Sequence, residues 1–136
     1  MNTAAACKVT AEDSAGGCSA FELVIPSHGG PGLHVHHRED EWFYVLAGQF
    51  LFDVGDQRHE LSVGASIFAP RDITHRFANS GTSDGRLILV CQPGGFEKFF
   101  DELAKIPLNP NDAEMKAMQE LAKRFGMEML GPPIFA

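Results

Sequence analysis

His34 and His36 flank Val35, and here the sequence first offers chemistry. In an extended strand, side chains two apart share a face with their α-carbons about 6.7 Å apart. Two imidazoles so placed can converge on a metal about 2 Å from each nitrogen. Four of the six histidines fall between positions 28 and 37, a bias that composition does not explain. Glu41 follows five residues after His36, the wrong parity for one unbroken strand, but the intervening His37-Arg38-Glu39-Asp40 is polar, as a turn is. A hairpin there resets the parity and aims Glu41 at the same interior, leaving Glu39 and Asp40 on a solvated turn. A second segment answers the first: after Pro70 and the turn Asp72-Ile73-Thr74, His75 opens another strand and can supply a third nitrogen. His28, His37 and His59 read as turn or outer-face residues.

The elements that must position these groups are short apolar runs punctuated by turn residues. The runs are 21–25, 33–36, 41–46, 49–54, 59–61, 66–69, 76–78 and 87–91. Strands of this length and spacing indicate an all-β sandwich or barrel. After Pro93 the period changes. Phe96, Phe99, Phe100 and Leu103 form a helical stripe ended by Pro107. Asn109 with Pro110 then reads as the cap of a second helix carrying Met115, Met118, Leu121, Ala122 and Phe125, closed by Gly126. Residues 127–130 suit one more short strand. The expected division is a loose leader over 1–18, a β core over 19–92 and a helical extension over 93–136 packed on that core, one domain in all.

Charge and composition exclude several roles. Eleven basic against 18 acidic residues give a net charge of −7, the opposite of the basic field that nucleic acid or an anionic membrane requires. No apolar run approaches the roughly 20 residues of a membrane span. Cys7, Cys18 and Cys91 are an odd set without CxxC spacing, which argues against a disulfide framework and makes a reducing cytoplasm the expected location. The first fourteen residues do not read as a secretory signal.

Two motifs in this arrangement resemble the cupin superfamily. The first is His34-x-His36, four residues, Glu41, six residues, Gly48; the second is Gly64, five residues, Pro70, four residues, His75, three residues, Asn79. Fifteen residues separate Gly48 from Gly64, as in compact microbial single-domain cupins. Two turn glycines of the pattern are replaced, by His28 and by Asp72. The resemblance implies a mainly β fold, a single jelly-roll β-barrel followed here by two C-terminal helices. It also implies one divalent transition metal ion per chain, held by His34, His36, Glu41 and His75, and a homodimer. The donor set alone does not choose among iron, manganese, nickel, copper, zinc and cobalt.

The barrel followed by a helical tail ending in Leu130-Gly131-Pro132-Pro133 is similar to small bacterial proteins grouped with quercetin 2,3-dioxygenase. In that group the ligating glutamate also takes the proton of a substrate hydroxyl, a role that falls on Glu41. Phe43 shares parity with Glu41 and Phe77 with His75, and with Phe52 they are the expected pocket wall. The function expected is a metal-dependent dioxygenase acting on a small aromatic or enolisable compound. The alternatives are a non-redox isomerase or lyase and a non-catalytic small-molecule-binding cupin.

Overall fold

The computed structural model describes residues 4–136, which form ten strands and two helices. The strands are β1 (Ala4–Val9), β2 (Ser19–Ile25), β3 (His34–His36), β4 (Asp40–Ala47), β5 (Phe50–Val54), β6 (Gln57–Leu61), β7 (Ser66–Ala69), β8 (His75–Asn79), β9 (Gly85–Gln92) and β10 (Met127–Met129). The helices, α1 (Glu97–Leu103) and α2 (Asp112–Arg124), stand between β9 and β10. One antiparallel sheet runs β1-β2-β9-β4-β7 and the other β10-β3-β8-β5-β6, which is a jelly roll. All eight expected runs are strands. The expected jelly roll followed by two helices is present, its barrel being two facing sheets that do not close on each other. No ladder joins edge strand β6 to edge strand β7, and the chain passes between them through the turn at 62–65, where Gly64 and Ala65 bond to Val45 instead.

Alternation drives both sheets together. On β2, Phe21, Leu23 and Ile25 are buried; on β4, Glu41, Phe43 and Val45; on β9, Leu87, Leu89 and Cys91; on β5, Phe50 and Phe52. Period-two burial of this kind places every second side chain in one shared core. Asn79, fully buried at the end of β8, is satisfied there: its side-chain amide donates to the carbonyls of Ile25 and Ser83 and accepts from Gly81 N–H.

The two glycine positions that the sequence lacks keep their backbone. His28 has φ +62° and Asp72 φ +68°, the left-handed region in which glycine is the easy choice. Histidine and aspartate are among the residues that tolerate it. Both are anchored: His28 N–H donates to the Asn79 carbonyl, and Asp72 N–H donates to that of His36. The loops therefore hold their shape despite the substitutions.

Three local expectations are corrected. The segment 1–18 is not a loose leader over its described part. β1 pairs antiparallel with β2 (Ala4 opposite Val24, Cys7 opposite Phe21), and Ser14 Oγ donates to the Cys18 carbonyl. An edge ladder needs backbone partners only, so small, exposed side chains do not forbid it; Met1–Thr3 lie outside the described residues. The cap of α2 is Asn111, not Asn109. Asn111 Oδ1 accepts from Glu114 N–H, three residues on, with Asp112 and Glu114 in the first turn. That pattern satisfies an orphan donor and complements the helix dipole better than Asn109 does. Glu39 is not on a solvated turn but 7% exposed. The stripe around α1 is as expected, and α2 is capped by Phe125, with Gly126 (φ +73°) the next residue.

On the outer face of the second sheet, Asp53 of β5 pairs with Arg58 of β6 (2.7 Å) and Arg76 of β8 (2.8 Å). Hydrogen bonds from Arg58, then Arg76, pull its carboxyl down to about 2 against the opposing effect of burial. A depressed carboxyl stabilises the fold above its unfolded value and loses that contribution as pH falls through the folded value. Asp53→Asn should therefore lower stability at pH 7 by about 1–2 kcal/mol, allowing for solvent screening. Thermal melts of the two proteins should converge as pH approaches 2; a gap independent of pH would count against the ion pairs.

Candidate metal centre

The side chains of His34, His36, Glu41 and His75 meet between the two sheets at one end of the core, all buried. Three come from the second sheet and one from the first. His34 and His36 share a face of β3 as spacing requires, and His75 lies directly opposite His34 in the register of β3 with β8. Glu41 arrives from β4, which belongs to the facing sheet. The expected hairpin between His36 and Glu41 is thus a crossing from one sheet to the other. The parity change is real, but its cause is that the two strands look at each other across the core. Glu41 is flanked in register by Ala69 and Cys91, two small side chains that leave room around the carboxylate.

One donor atom from each residue can be chosen so that all four lie within 4.8 Å of one another. Metal–nitrogen and metal–oxygen bonds of about 2.0–2.2 Å match such a cluster. Glu41 Oε1 stands 2.9 Å from both His36 Nε2 and His75 Nε2. Even so, Glu41 Oε1 and His75 Nε2 lack a hydrogen bond of proper direction. They are close without pointing at each other. A buried polar atom without a partner is costly. A cation among the four donors would satisfy both at once, so these residues fit one metal ion.

The electrostatics of the metal-free cluster are uneven. Burial, then the neighbouring His75 and His36, push the His34 imidazole down to about 3, so it is neutral. For His36, burial opposes charge, but Glu41 and Glu39 outweigh it and hold the imidazole up at about 9. Burial likewise opposes ionisation of Glu41, yet His36 and His75 prevail and keep the carboxyl well below the usual range. Cys91 Sγ lies 3.8 Å from Glu41 Oε2, the oxygen turned away from the histidines.

A pocket opens from the cluster and is almost wholly apolar. His34, His36 and Glu41 stand on its wall, together with Phe43 and Phe77. Phe52 does not line it. It is fully buried behind the wall, with its ring 5.1 Å from those of both Phe43 and Phe77. The outer wall comes from the helices and the N-cap of α1: Phe96, Phe99 and Phe100 pack on one another and, with Met118, close the far side. Phe96 sets its ring 5.1 Å from that of His36. Sequence periodicity found the stripe that holds these rings but not the direction in which it faces. Of the other histidines, His37 is half-exposed between Asp72 (2.6 Å) and Glu128 (2.5 Å), and His28 packs against Phe135 with the two rings tilted. His59 is on β6, away from the cluster. Among the described residues no helix is long and apolar enough to cross a membrane.

Comparison with known proteins agrees with this geometry. The cupin domain family matches residues 21–91. Protein SchB from Streptomyces halstedii is 35% identical over 82 residues, which are 59% of this chain and 59% of that protein. The chain thus aligns with less than two thirds of that relative's length. Among solved structures, KdgF from a Halomonas species superposes with a TM-score of 0.64 at 18% identity, over 71% of this chain and 84% of that one. A predicted oxalate decarboxylase from Thermotoga maritima has the same TM-score at 22% identity, over 67% and 80%. At these identities both show the fold alone.

Proposed function

This chain belongs to the cupin family, and from that membership and its own pocket we propose a metal-dependent dioxygenase acting on a small aromatic or enolisable compound. The observation that carries the proposal is the contrast between the cluster and its surroundings. The polar residues of the pocket wall are His34, His36 and Glu41, and the remainder is phenylalanine, leucine, methionine, alanine and proline. Among the described residues no lysine or arginine lines it. A sugar acid or a phosphate would leave its charges without partners there. A flat, mostly apolar molecule with one hydroxyl or enol oxygen would bury its rings against Phe43, Phe77 and Phe96 and direct that oxygen to the cluster.

A divalent redox-active ion held by the four residues would supply Lewis acidity toward the substrate oxygen and electron exchange with dioxygen, which delivers both its atoms to the product. The chain supplies the rest. Glu41, the carboxylate of the cluster, accepts the hydroxyl proton at a carboxylate oxygen. Phe96, Phe99 and Phe100 exclude bulk water, which strengthens the electrostatics inside the pocket.

Protein loaded in turn with Fe(II), Mn(II), Ni(II), Cu(II), Co(II) and Zn(II) should be assayed for oxygen uptake with flavonols, catechols and β-diketones. Consumption with at least one redox-active metal and one of these compounds is expected. If no combination consumes oxygen, the dioxygenase proposal falls, and a non-redox isomerase or lyase, or a binding protein, takes its place.

A further inference from the structure

The four candidate ligands do not hold themselves in position. Each histidine offers Nε2 to the cluster, and each is steered through its other nitrogen. His34 Nδ1 lies 2.7 Å from the Gly32 carbonyl, and His75 Nδ1 lies 3.5 Å from that of Ile73, a looser approach. A carbonyl can only accept, so Nδ1 carries the proton and Nε2 keeps its lone pair. His36 differs. Its Nδ1 lies 3.1 Å from a side chain, the carboxylate Oε1 of Glu39. Glu39 is 7% exposed, at the crossing between the two sheets, where an ionised carboxylate needs a partner. Of the three contacts, this one alone can be removed by substitution without touching the backbone, and it alone brings a negative charge.

We propose that Glu39 is a positioning residue for the metal centre. It fixes His36 in the Nδ1–H form, sets the ring so that Nε2 faces Glu41 and His75, and makes that nitrogen a stronger donor. The inference rests on the metal reading above and goes beyond it, since Glu39 belongs to neither ligand motif. Carboxylate–histidine pairs behind a metal are typically worth 10–100-fold in metal affinity. Glu39→Gln keeps an oxygen that accepts from Nδ1–H but removes the charge, whereas Glu39→Ala removes both.

The test is titration of metal-free protein with Co(II) in competition with a chromophoric chelator, with the absorption spectrum of the bound ion recorded at saturation. Glu39→Ala should bind about 10–100-fold more weakly than the unaltered protein, with a shifted Co(II) spectrum. Glu39→Gln should recover part of the affinity and most of the spectrum. Melting curves of the three metal-free proteins separate a local effect from failure to fold. Equal affinity in all three overturns the inference. So does a Glu39→Gln variant as weak as Glu39→Ala, because the loss then does not depend on an accepted hydrogen bond. If the unaltered protein does not bind Co(II), the metal reading falls and this inference with it; binding indifferent to position 39 removes the inference alone.

Discussion

Replacing His36 and His75 together by alanine should abolish stoichiometric metal. The double variant leaves His34 on one sheet and Glu41 on the other, and two donors do not hold a first-row ion against water and buffer. The effect should appear twice. Elemental analysis of protein purified without chelator should show about one equivalent of metal per chain in the unaltered protein and none in the variant. Chelator should lower the melting temperature of the unaltered protein and leave the variant unmoved. A ligand bound only by the native state stabilises it by about 4 kcal/mol at a thousandfold excess over its dissociation constant. Ligating imidazoles must be neutral, so acidification toward pH 5 should act in the same direction as chelator. Full metal content in the double variant would refute the site.

Glu41→Gln should separate ligand from base. Glutamine keeps the size and a coordinating oxygen but cannot take up a proton. Glu41 is 3% exposed, between an apolar wall and three histidines, with Oε1 toward the cluster and Oε2 toward Cys91. If it accepts the substrate proton, the variant should retain metal yet turn over about 10²–10⁴ times more slowly, the usual scale for a general base. Turnover and metal content must be measured on one preparation. A variant that holds metal and works at the normal rate would leave Glu41 as a ligand only.

The sequence carried the four candidate ligands well because their spacing is repeated by the fold. His34 and His36 obey the two-residue period of a strand, and His75 follows a proline-marked turn into the neighbouring strand. It carried less of how they meet. Whether the polar stretch after His36 turns back within a sheet or crosses to another depends on partners distant in sequence, so Glu41 was expected in place by the wrong route. Glu39 was missed for the same reason, because acidity signals solvent when the crossing that buries it is unseen. Phe52 was read from parity, which gives a face but not a depth. β1 has no alternation of large buried side chains to mark it, since it is an edge strand whose side chains are nearly all exposed.

β3 is three residues long and meets β8 in register at one pair, but meets β10 at all three of its positions, Met127 opposite His36 and Met129 opposite His34. The ion pair that fastens this junction, His37 with Glu128, joins residues 91 positions apart. The order of folding follows. Hairpins such as β5–β6 can close early, whereas the ladder of β3 with β10 cannot form until the chain returns from α2. Contacts of such separation slow folding, because loop closure costs entropy before the contact repays it. During synthesis on the ribosome, both sheets can begin to form before β10 exists. Through that interval the strand bearing two histidines presents an unpaired edge, open to other chains and to stray metal. β10 therefore acts as a timer: it makes completion of the end of the fold that carries the four candidate ligands a late event.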